Sequence, residues 1–180
     1  MSAVPADPNA IDPRVFPATS RRGRSCGVLK IGGLRATDLV ERFGSPLYVI
    51  DEGVARQRAR ETREALQREA ERIGTSATVY YAGKAFLCVE VARWMAEEGL
   101  GIDVASGGEL AVALAAGAAP GSIGFHGNNK SESEIARAVA AGVGTIILDS
   151  EQEIERVAAA ASAAGVRQRV RLRVNSGVHA

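Results

Sequence analysis

From residue 47 onward, short apolar, β-branched runs alternate with helical patterns rich in Ala, Glu and Arg. The runs fall at residues 47–50, 78–82, 101–105, 122–126, 145–148 and 170–174. Each has strand length, and each interval has room for a helix. After the first interval they recur at roughly two dozen residues, enough for one strand, one helix and two turns. Repeated right-handed βαβ crossovers of that size build a parallel sheet with helices outside it. The spacing predicts an α/β fold with about six strands of an eight-stranded (β/α) TIM barrel, and a doubly wound open sheet fits the same alternation. The phosphate-binding signatures of the open sheet are missing. No G-x-G-x-x-G follows the first run, no Walker loop occurs, and Gly99-Leu100-Gly101 precedes a strand rather than a helix. Six strands without closure leave two unpaired edges.

Three helix starts share one signature, Ser106 with Glu109, Ser131 with Glu134 and Ser150 with Glu153. Each reads as a capping box, in which the serine oxygen takes an orphan amide while the glutamate returns to the cap amide. These boxes place strand-to-helix turns independently of hydrophobic periodicity. Before residue 28, Pro5, Pro8, Pro13 and Pro17 and the basic stretch Arg21-Arg22-Gly23-Arg24 show no sustained period. The expected organisation is an irregular arm at 1–27, a lead-in strand (28–31) and helix (34–43) within 28–46, and a partial barrel at 47–180.

Composition narrows the function. At 180 residues, 46% of them hydrophobic, the chain can supply a packed core. Lys and Arg total 22 against 21 Asp and Glu, so a net charge of +1 gives no field to attract nucleic acid or an anionic membrane. An aromatic content of 4% argues against a base-stacking platform. No apolar run approaches the ~18 residues that span a bilayer. Arg21-Arg22 leads into no signal-like apolar stretch, so a cytoplasmic location is expected. Cys26 and Cys88 are too few and too far apart for a disulfide framework or a zinc site, and they read as reduced thiols.

Lys84 is the leading candidate for chemistry. It follows the strand-like run ending at Ala82 and stands where a helical pattern begins, at the strand end where barrel enzymes gather their reactive side chains. Period-two alternation puts Tyr80, Ala82 and Lys84 on one face, and small Ala82 and Gly83 leave room for a planar cofactor beside the amine. A solvated loop lysine is the bland alternative. Asp103 stands out as a carboxylate within an apolar strand, where it needs a partner, and Arg173 is a candidate for that partner. Trp94, spaced along a helix with Val91 and Met95, reads as packing.

Six segments occur together in one order: Gly44-Ser45-Pro46-Leu47-Tyr48, Tyr81-Ala82-Gly83-Lys84-Ala85-Phe86, Asp103 to Glu109, His126-Gly127-Asn128-Asn129-Lys130, Asp149-Ser150 with Glu153, and Arg171 to Ala180. In order and spacing the chain resembles the diaminopimelate decarboxylases of the alanine-racemase-like, pyridoxal-phosphate-dependent family, over nearly everything after residue 28. The run from Lys84 to Trp94 looks like the actinobacterial branch. The resemblance implies an amino-terminal barrel followed by a carboxy-terminal β domain, with pyridoxal 5'-phosphate as cofactor. It implies that Lys84 binds the cofactor covalently and that Asp103, Glu109 and Arg173 form its polar surround. The implied reaction is decarboxylation of meso-2,6-diaminopimelate to L-lysine, with a small amino acid as substrate and a homodimer as the full-length assembly. Glu109 is explained equally well by its capping box. His126 is read as a hydrogen-bonded structural residue, because the ring-stacking histidine of such enzymes falls on a later strand. Asn128 and Asn129 are read as the turn into the next helix.

The family pattern continues beyond residue 180, through its phosphate-binding glycine turn, the carboxylate facing the pyridine nitrogen, and the substrate-binding arginine and tyrosine. The chain is therefore expected to represent the amino-terminal part of such an enzyme and to be inactive alone. An ornithine- or arginine-type decarboxylase shares the barrel and the lysine. A regulatory barrel that binds the cofactor without catalysis, or a structural remnant that pairs through its open edges, stands outside the enzyme class.

Overall fold

A computed structural model describes residues 11–12, 14–23, 27–174 and 177. Residues 1–10, 13, 24–26, 175–176 and 178–180 lie outside the described residues. The chain forms two compact units, residues 1–58 and 59–180.

In the first unit, β1 (Arg21–Arg22), β2 (Leu29–Ile31) and β3 (Leu34–Arg35) pair antiparallel in that order. The β2–β3 turn is Gly32-Gly33, both at positive φ (57° and 85°). Two such residues make the primed turn whose twist matches a two-residue hairpin. Helix α1 (Ala36–Phe43) follows, and Gly44 at φ 84° closes it. Asp51 precedes α2 (Glu52–Arg72) and accepts from the Thr19 hydroxyl at 2.5 Å and the Val54 amide at 3.1 Å. Those donors, the hydroxyl foremost, hold its carboxyl below the usual range.

Two expectations change here. Arg21–Arg22 is a strand rather than part of an irregular arm. Residues 47–50 form no strand, and all four are exposed, Tyr48 to 98%. Propensity alone does not make a strand; a ladder needs a partner, and this run has none among the described residues. The parallel sheet therefore has five strands, not six.

That sheet, in the second unit, runs β4 (Tyr80–Ala82), β5 (Gly101–Val104), β6 (Ile123–Phe125), β7 (Thr145–Leu148) and β8 (Val170–Leu172), each parallel to its neighbour in the chain. Helices α3 (Val89–Glu97), α4 (Gly107–Ala115), α5 (Glu132–Ala141) and α6 (Glu151–Ala164) connect them. Alternate residues Ile102, Val104, Ile123, Phe125, Ile146 and Leu148 pack against Leu110, Ala113, Ile135, Ala138 and Val157 of the helices. A fully buried side chain of this size contributes roughly 1.5–3 kcal/mol, so this layer carries the unit.

The opposite face takes the residues in between, among them Tyr80, Gly101, Asp103, Gly124 and Arg171. A Cβ on Gly101 would stand 2.6 Å from the Tyr80 ring and 2.7 Å from the Ser122 carbonyl, so the ring occupies space that only glycine leaves open. A Cβ on Gly124 would overlap the Asp103 carboxylate.

The three helix starts differ in detail. Ser106, Ser131 and Ser150 each accept from the amide three residues on. Only Ser131–Glu134 closes the full box. Glu109 and Glu153 reach one residue further back, to the amides of Ala105 (2.8 Å) and Asp149 (2.9 Å). The cap backbone explains this: φ is −71° at Ser131 but −151° at Ser106 and −146° at Ser150, which turns a different amide toward the glutamate. Two of these glutamates also tie neighbouring loops together. Glu134 accepts from the Gly107 amide at 2.6 Å and Glu153 from the Lys130 amide at 3.3 Å.

Candidate functional site

A cleft of about 640 Å³ opens at the carboxyl ends of the parallel strands. Every strand supplies part of it: Lys84 after β4, Asp103 on β5, His126 after β6, Asp149 after β7 and Arg173 after β8. This is the end of a parallel α/β sheet where loops and strand termini build sites.

Lys84 sits in a 3₁₀ turn, Gly83–Ala85. The Tyr81 hydroxyl donates to the Phe86 carbonyl at 2.6 Å, clamping that turn from both sides. A Cβ on Gly83 would come within 2.7 Å of the Asp103 carbonyl and 3.3 Å of a Glu109 oxygen, so the turn packs against β5 through bare backbone. Among the described residues the Lys84 amine has no hydrogen-bond partner, and it borders the cleft.

Asp103 lies beside Ala82 in register and 3.2 Å from His126 Nε2. Burial pushes its carboxyl above the usual range, and His126, Arg171 and Lys84 act against that shift. Arg173 Nη2 is 3.4 Å from His126 Nδ1. A guanidinium only donates, so Nδ1 accepts and the imidazole proton belongs on Nε2, the nitrogen beside the Asp103 carboxylate. Arg173 Nε also stands 2.5 Å from Asp149 Oδ1. That contact is charge to charge: Asp149 Oδ1 is buried and accepts no aligned hydrogen bond among the described residues. The result is a continuous polar wall, Asp149–Arg173–His126–Asp103, lining the same cleft as Lys84.

Of the four residues singled out from sequence, Lys84, Asp103 and Arg173 line one cleft. Glu109 stands behind the wall, its carboxylate bound to the Ala105 amide and close to Gly83. His126, expected as a structural residue, meets Arg173 through Nδ1 and borders the cleft, as does Asn128. Asp149 and Arg171 went unremarked as site residues. Each has a signal: Asp149 directly follows the apolar strand β7, and Arg171 shares the face of Arg173 by period two.

Beneath the wall lies an ion pair that sequence reasoning missed. Lys130 and Glu153 have side chains 1% and 2% exposed, with Nζ 3.0 Å from Oε2. Burial works against the Glu153 charge, but the Asp149 and Lys130 amides and the ammonium together hold its carboxyl below the usual range.

The family model for the pyridoxal-dependent decarboxylases, pyridoxal binding domain, matches residues 56–180. The chain is 51% identical over 119 residues to the diaminopimelate decarboxylase of Mycobacterium tuberculosis, covering 66% of this chain and 25% of that protein. It is 47% identical over 113 residues to the enzyme of that name from Bacillus subtilis, covering 63% of this chain and 25% of the relative. The chain thus spans about a quarter of the length of these curated relatives. Among solved structures, diaminopimelate decarboxylase from M. jannaschii in complex with L-lysine superposes with a TM-score of 0.80 at 33% identity. That match covers 90% of this chain and 37% of the other.

Proposed function

Because the chain belongs to the pyridoxal-dependent decarboxylases, carrying their pyridoxal-binding domain over residues 56–180, we propose that its cleft binds pyridoxal 5'-phosphate through Lys84 and serves the conversion of meso-2,6-diaminopimelate to L-lysine and carbon dioxide. The observation that carries this reading is the Lys84 amine at a cleft that Asp103, His126 and Arg173 also line. Relatives named diaminopimelate decarboxylase, and a structural neighbour holding L-lysine, support the substrate.

The residues present fit the cofactor. The cleft of about 640 Å³ is bordered by the small residues Ala82, Gly83 and Gly127, with a primary amine at Lys84 for an aldehyde and a guanidinium at Arg173 for an anionic oxygen. When bound, the cofactor supplies the electron sink for the pair left behind as carbon dioxide departs. Lys84 would hold the cofactor covalently through its amine, and the same side chain, when free, would carry a proton at the cleft. Arg173, oriented by Asp149, presents N–H groups to an anionic oxygen. Asp103 fixes the orientation of the His126 ring, and Glu109 supports the turn that carries Lys84.

The same reading takes the parallel-stranded part of residues 47–180 as the barrel portion, after a lead-in that includes the antiparallel strands β1 to β3, and a small amino acid as the partner. A homodimeric assembly and a cytoplasmic location complete it, on the strength of the family resemblance. Incubation with pyridoxal phosphate, borohydride reduction and mass-spectrometric mapping test the cofactor site. The expected label is one per chain on Lys84, absent from Lys84→Ala. Carbon dioxide release by the intact protein from meso-diaminopimelate, against ornithine and arginine, tests the substrate. Labelling without preference for Lys84 would refute the site, and faster release from ornithine or arginine would refute the substrate.

A further inference from the structure

We propose that the buried Lys130–Glu153 pair is a positioning device for the cleft wall, holding the loops after β6 and β7 so that His126, Gly127 and Asp149 keep their places. As far as this concerns the cofactor, it rests on the reading above.

The geometry is unusually convergent for two side chains outside the cleft. Lys130 Nζ donates to the Gly127 carbonyl at 2.5 Å and to both Glu153 oxygens at 3.2 and 3.0 Å. Its three protons are thereby all used. Glu153 in turn accepts from the amides of Asp149 at 2.9 Å and Lys130 at 3.3 Å. The Phe125 ring lies 5.9 Å from the ammonium, and Arg156 donates to the Lys130 carbonyl at 3.3 Å. Gly127 and Asp149 are cleft residues, and Asp149 is the ion-pair partner of Arg173. One pair of charges thus ties the backbone at Gly127, next to His126, to that at Asp149, the ion-pair partner of Arg173.

Stability alone is a weak reason for this arrangement. Removing two charges from water costs about what their attraction returns, and apolar residues of similar volume often serve as well or better. What apolar residues cannot supply is a donor for the Gly127 carbonyl and an acceptor for the Asp149 amide. That supply is directional, and it acts on the cleft wall.

The test uses the full chain and Lys130→Met/Glu153→Leu, which removes both charges together, beside Lys130→Met/Glu153→Gln, which keeps an acceptor for the Asp149 amide. Thermal melting by circular dichroism reports the fold, residue-resolved hydrogen exchange reports the loops, and the rate of borohydride-trapped labelling by pyridoxal phosphate reports Lys84. The Met/Leu variant is expected to melt near wild type, with the Asp149 and Lys130 amides exchanging at least about tenfold faster. Amides of residues 101–104 keep their protection, and labelling at Lys84 slows about tenfold. The Met/Gln variant restores Asp149 protection but labels slowly, because the Gly127 tie is still missing. If Met/Leu does not fold, Met/Gln alone decides, and wild-type labelling by it overturns the inference. Unchanged exchange and unchanged labelling in a folded Met/Leu variant overturn it as well. Faster loop exchange in a variant whose wild type never labels Lys84 upholds the hold on the loops and overturns the cofactor reading instead.

Discussion

Replacing Glu134 by alanine tests whether the cleft wall is tied together at its helix starts. The carboxylate accepts from the Gly107 amide at 2.6 Å, the Ser131 amide at 2.9 Å and the Ser131 hydroxyl at 2.8 Å. The first bond is sheltered and crosses to the preceding loop; the other two are exposed and belong to the cap. Allowing about 2 kcal/mol for a sheltered bond to an ionised acceptor and about 1 kcal/mol for the cap, the loss comes to about 3 kcal/mol. For a chain of this size that is a fall in Tm of roughly 6–12 °C. Urea unfolding at neutral pH should show a lower midpoint with an unchanged slope.

The pH dependence gives an independent check. The Ser131 amide first, then the Gly107 amide, hold the Glu134 carboxyl below its ordinary value of 4.5. A carboxyl lowered on folding contributes fully above that ordinary value, and the contribution disappears as pH falls through the lower native one. Wild type and variant should therefore converge in acid. Glu134→Gln, which keeps one acceptor, should recover part of the loss. A difference below about 1 kcal/mol at neutral pH, far short of what such bonds contribute, or a gap that persists in strong acid, would refute the reasoning.

Two further outcomes follow from the sheet's cleft face. The Asp103 carboxyl is raised by burial, so its charge costs stability above the ordinary 3.8 and the cost is relieved as pH falls through the raised native value. Asp103→Asn should melt higher than wild type at neutral pH and lack that relief in acid, as melts across this range will show. Gly101→Ala drives a methyl into the Tyr80 ring and the Ser122 carbonyl, an overpacking cost of about 1–3 kcal/mol by chemical denaturation. Adding Tyr80→Leu should recover part of it, and full additivity of the two changes would contradict the packing described.

Much of the second unit was legible because two signals of different origin agree. Hydrophobic alternation and the serine–glutamate spacing both mark the turns into α4, α5 and α6, and all three helices begin where the serines predict. Residues 47–50 misled because β-branched side chains report a preference for extended backbone, while pairing is decided by what lies alongside. Of the hairpin at 29–35 only the first strand was legible: residues 34–43 read as helix, but Leu34–Arg35 pair with Ile31 and Lys30, two residues being too few to show a period. In the cleft, Lys84, Asp103 and Arg173 could be found because each is polar within or directly after an apolar run. Glu109 could not be placed from spacing, since a rotation of φ at Ser106 decides which amide it meets. The Lys130–Glu153 pair was invisible for a related reason. Lysine and glutamate in polar-looking segments read as solvated, and only the approach of two successive loops buries them.

The order of the sheet also bears on how the chain is made. Paired residues stand 21 positions apart across β4–β5, β5–β6 and β6–β7, as in Tyr80 with Gly101, Ile102 with Ile123 and Gly124 with Thr145, and 24 apart across β7–β8. No strand waits for a distant partner. Loop closure at that separation is inexpensive, and each ladder can form soon after its second strand leaves the ribosome. Folding can therefore advance along the nascent polypeptide one crossover at a time, each new strand templated on the last. A stalled or slowed ribosome between crossovers would leave the edges of β4 and of the newest strand exposed.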